Sequence, residues 1–134
     1  MRKTLTIFLG CFILLAGCGR EEKVEMYQHI DDKELKTELK EMVEKSKDID
    51  QANVILVGDK LLAAIQVNPW KRYKKQKIES EWQKKLEKKY SNLKVVVSTD
   101  FKLYWESTKL LEEEDRQKVK DKIDSLKKLA KEET

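Results

Sequence analysis

The chain has 134 residues, a formal net charge of +4, and equal 40% shares of charged and apolar residues. That length builds one small domain and excludes a typical two-domain enzyme. One histidine, two cysteines and four glycines leave no Cys/His catalytic set and no glycine-rich phosphate loop.

Arg2 and Lys3 precede an apolar stretch of eleven residues, Leu5 to Leu15. A helical span needs about 20 apolar residues, so this stretch is too short to cross a bilayer. A positive start, a short apolar run and small residues mark a secretory signal. Leu15-Ala16-Gly17-Cys18 has the pattern of a bacterial lipobox. That resemblance implies cleavage after residue 17 and a diacylglycerol on the sulfur of Cys18. No other cofactor is expected. Cys11 leaves with the leader, so the mature chain has neither a free thiol nor a disulfide. It keeps 117 residues and a side-chain charge of +2, because Arg2 and Lys3 are lost. Such a chain builds only a thin core.

Residues 18–30 are polar and aperiodic and read as the lipidated Cys18 with a flexible tether. His29 lies here and reads as a solvated side chain. Residues 31–134 read as one small domain. Asp31 is the expected cap of a first helix, with Glu34 as its capping-box partner and Ile30 and Leu35 as a hydrophobic staple. Leu35, Leu39, Met42 and Val43 give that helix one apolar face. From Ala52 to Val67 the period changes. Two apolar runs flank Gly58-Asp59-Lys60, which predicts a β-hairpin covered by helices on both sides. Asn68 and Pro69 suit the cap and first position of the next helix. Ile78, Trp82 and Leu86 are its stripe. Val95-Val96-Val97 predicts a third strand. Asp100 then caps a helix carrying Phe101, Tyr104, Trp105, Thr108 and Leu111, with Trp82 and Trp105 both expected in the core. A terminal helix spans 115–131, with acids at its start and lysines at its end, as the helix dipole favours. Its apolar stripe is Val119, Ile123, Leu126 and Ala130. Docking on the domain, pairing with a partner helix, or continuing the preceding helix are all open to it. The fold class is α+β, in the order α-β-β-α-β-α with a terminal helix. The economical arrangement is a three-stranded sheet covered by helices.

The run Ala52-Asn53-Val54-Ile55-Leu56-Val57-Gly58-Asp59-Lys60-Leu61-Leu62-Ala63-Ala64-Ile65-Gln66-Val67 resembles the hairpin of the YhcN/YlaJ family of sporulation lipoproteins. Val95-Val96-Val97-Ser98-Thr99-Asp100 before a helix resembles that family's later strand, and the lipobox at Cys18 fits it too. The resemblance covers about residues 50–112. It implies a BON-like envelope module, attached to a membrane of an endospore-forming bacterium and acting in spore assembly, outgrowth or germination. It brings no catalytic residue with it.

Among candidate functional residues, Asp59 and Asp100 read first as a turn residue and a helix cap. The informative segment is Trp70-Lys71-Arg72-Tyr73-Lys74-Lys75-Gln76-Lys77. Its cations Lys71, Arg72, Lys74, Lys75 and Lys77 oppose the dipole of the helix they open, and an anion would relieve that cost. A solvated lysine face is the plain reading. Contact with anionic lipid, wall polymer or an acidic protein partner is the functional one. An exported, anchored protein rarely meets nucleic acid, so none is expected, and no metal site is expected. The reading is a non-enzymatic lipoprotein on the outer face of the cell membrane, acting by binding. The alternatives are an assembly subunit recruiting a protein through its terminal helix, or a generic envelope lipoprotein.

Overall fold

The structure is a computed structural model and describes residues 23–27 and 30–132. The predicted leader 1–17, Cys18, His29 and most of the predicted tether lie outside the described residues. Four strands form one mixed sheet in the spatial order β1-β2-β3-β4. They are β1 (Val24–Met26), β2 (Ile49–Val57), β3 (Lys60–Val67) and β4 (Lys94–Ser98). The fold is α+β, as the sequence predicts, with one strand more than the predicted three. The extra strand, β1, comes from the segment read as tether. Three residues are too few to show an alternation, and its pairing is entirely long-range. The amide of Ala52 donates to the carbonyl of Lys23, and that of Tyr27 to the carbonyl of Val54, each at 2.9 Å. Val24 and Tyr27 are buried, and the Tyr27 hydroxyl donates to the Glu113 carbonyl at 2.9 Å.

β2 and β3 form the expected antiparallel hairpin, pairing Val57 with Lys60 across Gly58-Asp59. Gly58 has φ +61°, the conformation that a two-residue hairpin turn demands at its first central position. Successive residues point to opposite faces, and both faces are buried. Val54, Leu61, Ala63 and Val97 face one core; Ile55 and Leu62 face the other.

The first core is closed by α1 (Lys33–Lys45) and α2 (Lys75–Lys89). Leu35, Leu39 and Val43 come from α1, and Ile78, Trp82 and Leu86 from α2. The cap of α1 is Asp32 rather than Asp31. Its Oδ1 accepts from the Leu35 amide at 3.0 Å. Asp31 instead makes a forked ion pair with Arg116 at 2.9 and 3.1 Å. Ile30 and Leu35 form no staple, because they enter cores on opposite sheet faces. Asn68 caps as expected, accepting from the Trp70 amide at 3.1 Å, but the turn it opens is a 3₁₀ helix, Pro69–Lys74. No residue of that turn is buried, so packing does not hold it in α form. The α-helix begins only at Lys75.

The second core is closed by α3 (Phe101–Leu110) and α4 (Arg116–Glu132). Asp100 caps α3, its Oδ1 accepting from the Lys102 amide at 3.1 Å. The buried side of α3 is Leu103, Ser107 and Leu110, so Trp105 is not a core residue. The reason is polar. Asn53 is buried on β2, and its Nδ2 donates to Ser107 Oγ at 3.0 Å and Thr108 Oγ1 at 2.9 Å. Those hydroxyls donate in turn to the Tyr104 carbonyl at 2.6 and 3.1 Å. Satisfying Asn53 rotates the helix so that Phe101 and Trp105 face outward.

α4 docks on the domain. Val119, Ile123 and Leu126 are buried in the second core. An ion pair joins Lys60 of β3 to Asp124, and that hydrogen bond holds the Asp124 carboxyl below its ordinary range. Burial, reinforced by the Lys60 charge, pushes the Lys127 ammonium down.

β4 is an edge strand, and α2 covers its outer edge with side chains. Gln83 Oε1 accepts from the Val97 amide at 2.6 Å, and Gln83 Nε2 donates to the Val95 carbonyl at 2.8 Å. Glu79 Oε2 accepts from the Thr99 amide at 2.8 Å and its hydroxyl at 2.6 Å.

Candidate surface-binding site

Strand register decides what lies at each end of the sheet. Val24 sits opposite Ala52, Ile49 opposite Val67, and Ala64 opposite Ser98. One end therefore holds the starts of β1 and β2 and the finishes of β3 and β4. Lys23, Asp48, the Asn68–Trp70 turn and Thr99–Phe101 share that end. Direct contacts tie it together. Lys23 Nζ donates to the Ser46 carbonyl at 2.6 Å, and the Asn68 amide donates to the Asp48 carbonyl at 2.8 Å.

The five cations singled out in the sequence all lie on this end, split between two elements. Lys71, Arg72 and Lys74 belong to the 3₁₀ turn, while Lys75 and Lys77 open α2. Lys71 is half-buried, and its ammonium is bound to the Asp48 carboxylate at 2.6 Å. Arg72, Lys74, Lys75 and Lys77 are exposed and have no carboxylate partner among the described residues. Lys74 lies 5.5 Å from the centre of the Tyr73 ring. The first turn of α2 contains no acid, so these charges stand against the positive helix end uncompensated.

Among the described residues four large aromatic residues are exposed, two of them within the basic turn, and periodicity alone does not reveal them. Trp70 is 88% exposed and Tyr73 80%, both within the basic turn. On α3, across the sheet from α2, Phe101 is 66% exposed and Trp105, one turn further on, 57%. Of the three tryptophans, only Trp82 is a core residue. The signal in the sequence is the interleaving of aromatics and cations at residues 70–77 itself. For Phe101 and Trp105 the sequence carries no such signal, since their i, i+4 spacing is also that of a core stripe.

The other candidates resolve into structural roles. Asp59 occupies the hairpin turn, its carbonyl accepting from the Lys94 amide at 2.6 Å. Asp100 is a helix cap, and its second oxygen, Oδ2, is buried without a hydrogen-bond partner. Among the described residues no group of side chains could hold a metal ion, and no helix is long and apolar enough to cross a membrane.

No curated protein and no solved structure matches the chain. Residues 17–111 match the family model for sporulation lipoprotein YhcN/YlaJ. The match begins one residue before Cys18, runs through the hairpin, the basic turn, β4 and α3, and stops before α4. Because it spans well over half of the sequence, the chain belongs to the YhcN/YlaJ family of sporulation lipoproteins.

Proposed function

We propose that this protein is a lipid-anchored, non-enzymatic binding protein on the outer face of the cell membrane, serving spore formation or germination. Family membership supports the lipoprotein and sporulation parts of this reading. The lipobox supports anchoring through a diacylglycerol on Cys18. The observation that carries the binding role is the group Arg72, Lys74, Lys75 and Lys77. These cations lie exposed at the same end of the sheet as Lys23, the described residue from which the chain runs back toward Cys18. Asp59 sits in the hairpin turn with its carboxylate 3.7 Å from Lys94, and Asp100 caps α3, so both residues have structural roles. Nothing favours recruitment of a partner by the apolar stripe of α4, because that stripe is buried in the second core.

Membrane fractionation of cells making the wild type or Cys18→Ala tests the anchor. The wild type is expected in the membrane fraction at mature size, and the variant unprocessed or released. A variant still membrane-bound at mature size overturns the anchor. Transcription confined to sporulating cells supports the spore assignment, and constant vegetative transcription overturns it.

A further inference from the structure

We propose that the sheet end carrying Lys23 is the face this domain presses onto the lipid headgroups, with Trp70 and Tyr73 seated in the membrane interface. The inference rests on the anchor reading of Cys18 and adds an orientation and a partner: an anionic leaflet of the bilayer holding the anchor.

Three observations converge. The first is reach. Four residues separate Cys18 from Lys23, so the five steps between them span at most about 18 Å at roughly 3.3–3.6 Å per residue. Lys23 is fixed to the domain through both its carbonyl and its ammonium. A lipid on Cys18 therefore holds this end of the sheet, and not the hairpin end, near the bilayer.

The second is charge. Arg72, Lys74, Lys75 and Lys77 are free to meet phosphates, whereas Lys71 is committed to Asp48. Juxtamembrane cations are attracted to anionic leaflets within about a Debye length, about 8–10 Å at ordinary salt. The short tether lets the cluster come within that range.

The third is chemistry. Tryptophan and tyrosine rings favour the headgroup level, where an apolar ring body and a polar tip are both satisfied. Trp70 and Tyr73 project from the turn that carries Arg72 and Lys74, and Phe101 opens α3 at the same end of the sheet. A wall polymer offers phosphate but no apolar layer, so exposed rings among the cations favour lipid.

The test uses the lipidated mature chain in phosphatidylcholine vesicles, with or without phosphatidylglycerol. Trp105→Phe leaves Trp70 and the buried Trp82, whose emission reports that the fold is intact. Brominated acyl chains should quench Trp70 on the phosphatidylglycerol vesicles. The quenching should vanish in Trp70→Phe and fade in high salt. Each cation near an anionic leaflet favours docking about fivefold. Changing Arg72, Lys74, Lys75 and Lys77 together to Gln should therefore lower the docked-to-undocked ratio by roughly several hundredfold. Trp70 left unquenched, and as open to acrylamide on vesicles as in detergent, overturns the proposal. Binding of poly(glycerol phosphate) without bromolipid quenching also overturns it and assigns the cations to wall polymer. Failure of the anchor looks different. The chain then stays off phosphatidylcholine vesicles and is washed by salt from the phosphatidylglycerol ones, and quenching of Trp70 on the latter at low salt still decides the docking.

Discussion

Ile123 lies at the centre of the α4 stripe and is fully buried at 0% exposure. Its place in the second core, beside Val119 and Leu126, makes α4 part of the folded unit. Ile123→Ala removes three carbons from a packed site. Such truncations cost about 2–5 kcal/mol, the lost transfer energy plus the cavity left behind. Taking about 3 kcal/mol, and about 4 °C of Tm per kcal/mol for a domain of this size, the melting temperature should fall by roughly 12 °C. Thermal unfolding of the mature chain followed by far-ultraviolet circular dichroism measures this. Lys128→Ala, an exposed position on the same helix, is the control and should stay within about 0.5 kcal/mol of wild type. A drop below about 3 °C for Ile123→Ala, well short of the expected range, would refute the docking of α4 and return its stripe to a partner.

Two further outcomes follow from the same contacts. Asp32→Ala should cost about 1 kcal/mol by removing the cap of α1, while Asp31→Ala, breaking only an exposed pair with Arg116, should cost between about 0 and 1 kcal/mol. Urea unfolding of the two variants side by side checks the assignment, and a larger loss for Asp31→Ala contradicts it. Gln83→Ala should cost about 1–3 kcal/mol, since it leaves a strand amide and a carbonyl without their partner. Hydrogen exchange at the Val97 amide should rise with it, and unchanged protection there would show that Gln83 does not hold the edge.

What could be read in advance follows from how local each signal is. The hairpin was legible because Gly58 and two apolar runs state turn and strands within sixteen residues. The stripe Ile78, Trp82 and Leu86 was legible because its period is helical and all three are apolar. β1 was not, since its partner lies 28 positions away and its three residues are too few to establish an alternation. The outward turn of Trp105 was hidden for a different reason. The residue occupying the buried position is Ser107, and a search for apolar periodicity passes over a serine whose partner is a buried asparagine on another element. The same asymmetry governs the site. The cations at 71–77 can be counted in the sequence, but their place at the same sheet end as Lys23 depends on strand register, which composition does not encode.

The side chains that α2 lays along β4 also bear on how such molecules live together. For a protein anchored as proposed for this one, the lipid confines it to a sheet-like volume, where neighbours meet edge to edge at high local density. A sheet whose rim offered free amides and carbonyls would recruit the next copy strand by strand. Here Gln83 and Glu79 occupy that rim on one side, and the opposite side ends in a strand of only three residues. The domain can be packed densely on a surface without polymerising through its backbone. Any association between copies must instead run through helix faces or through the surface they share.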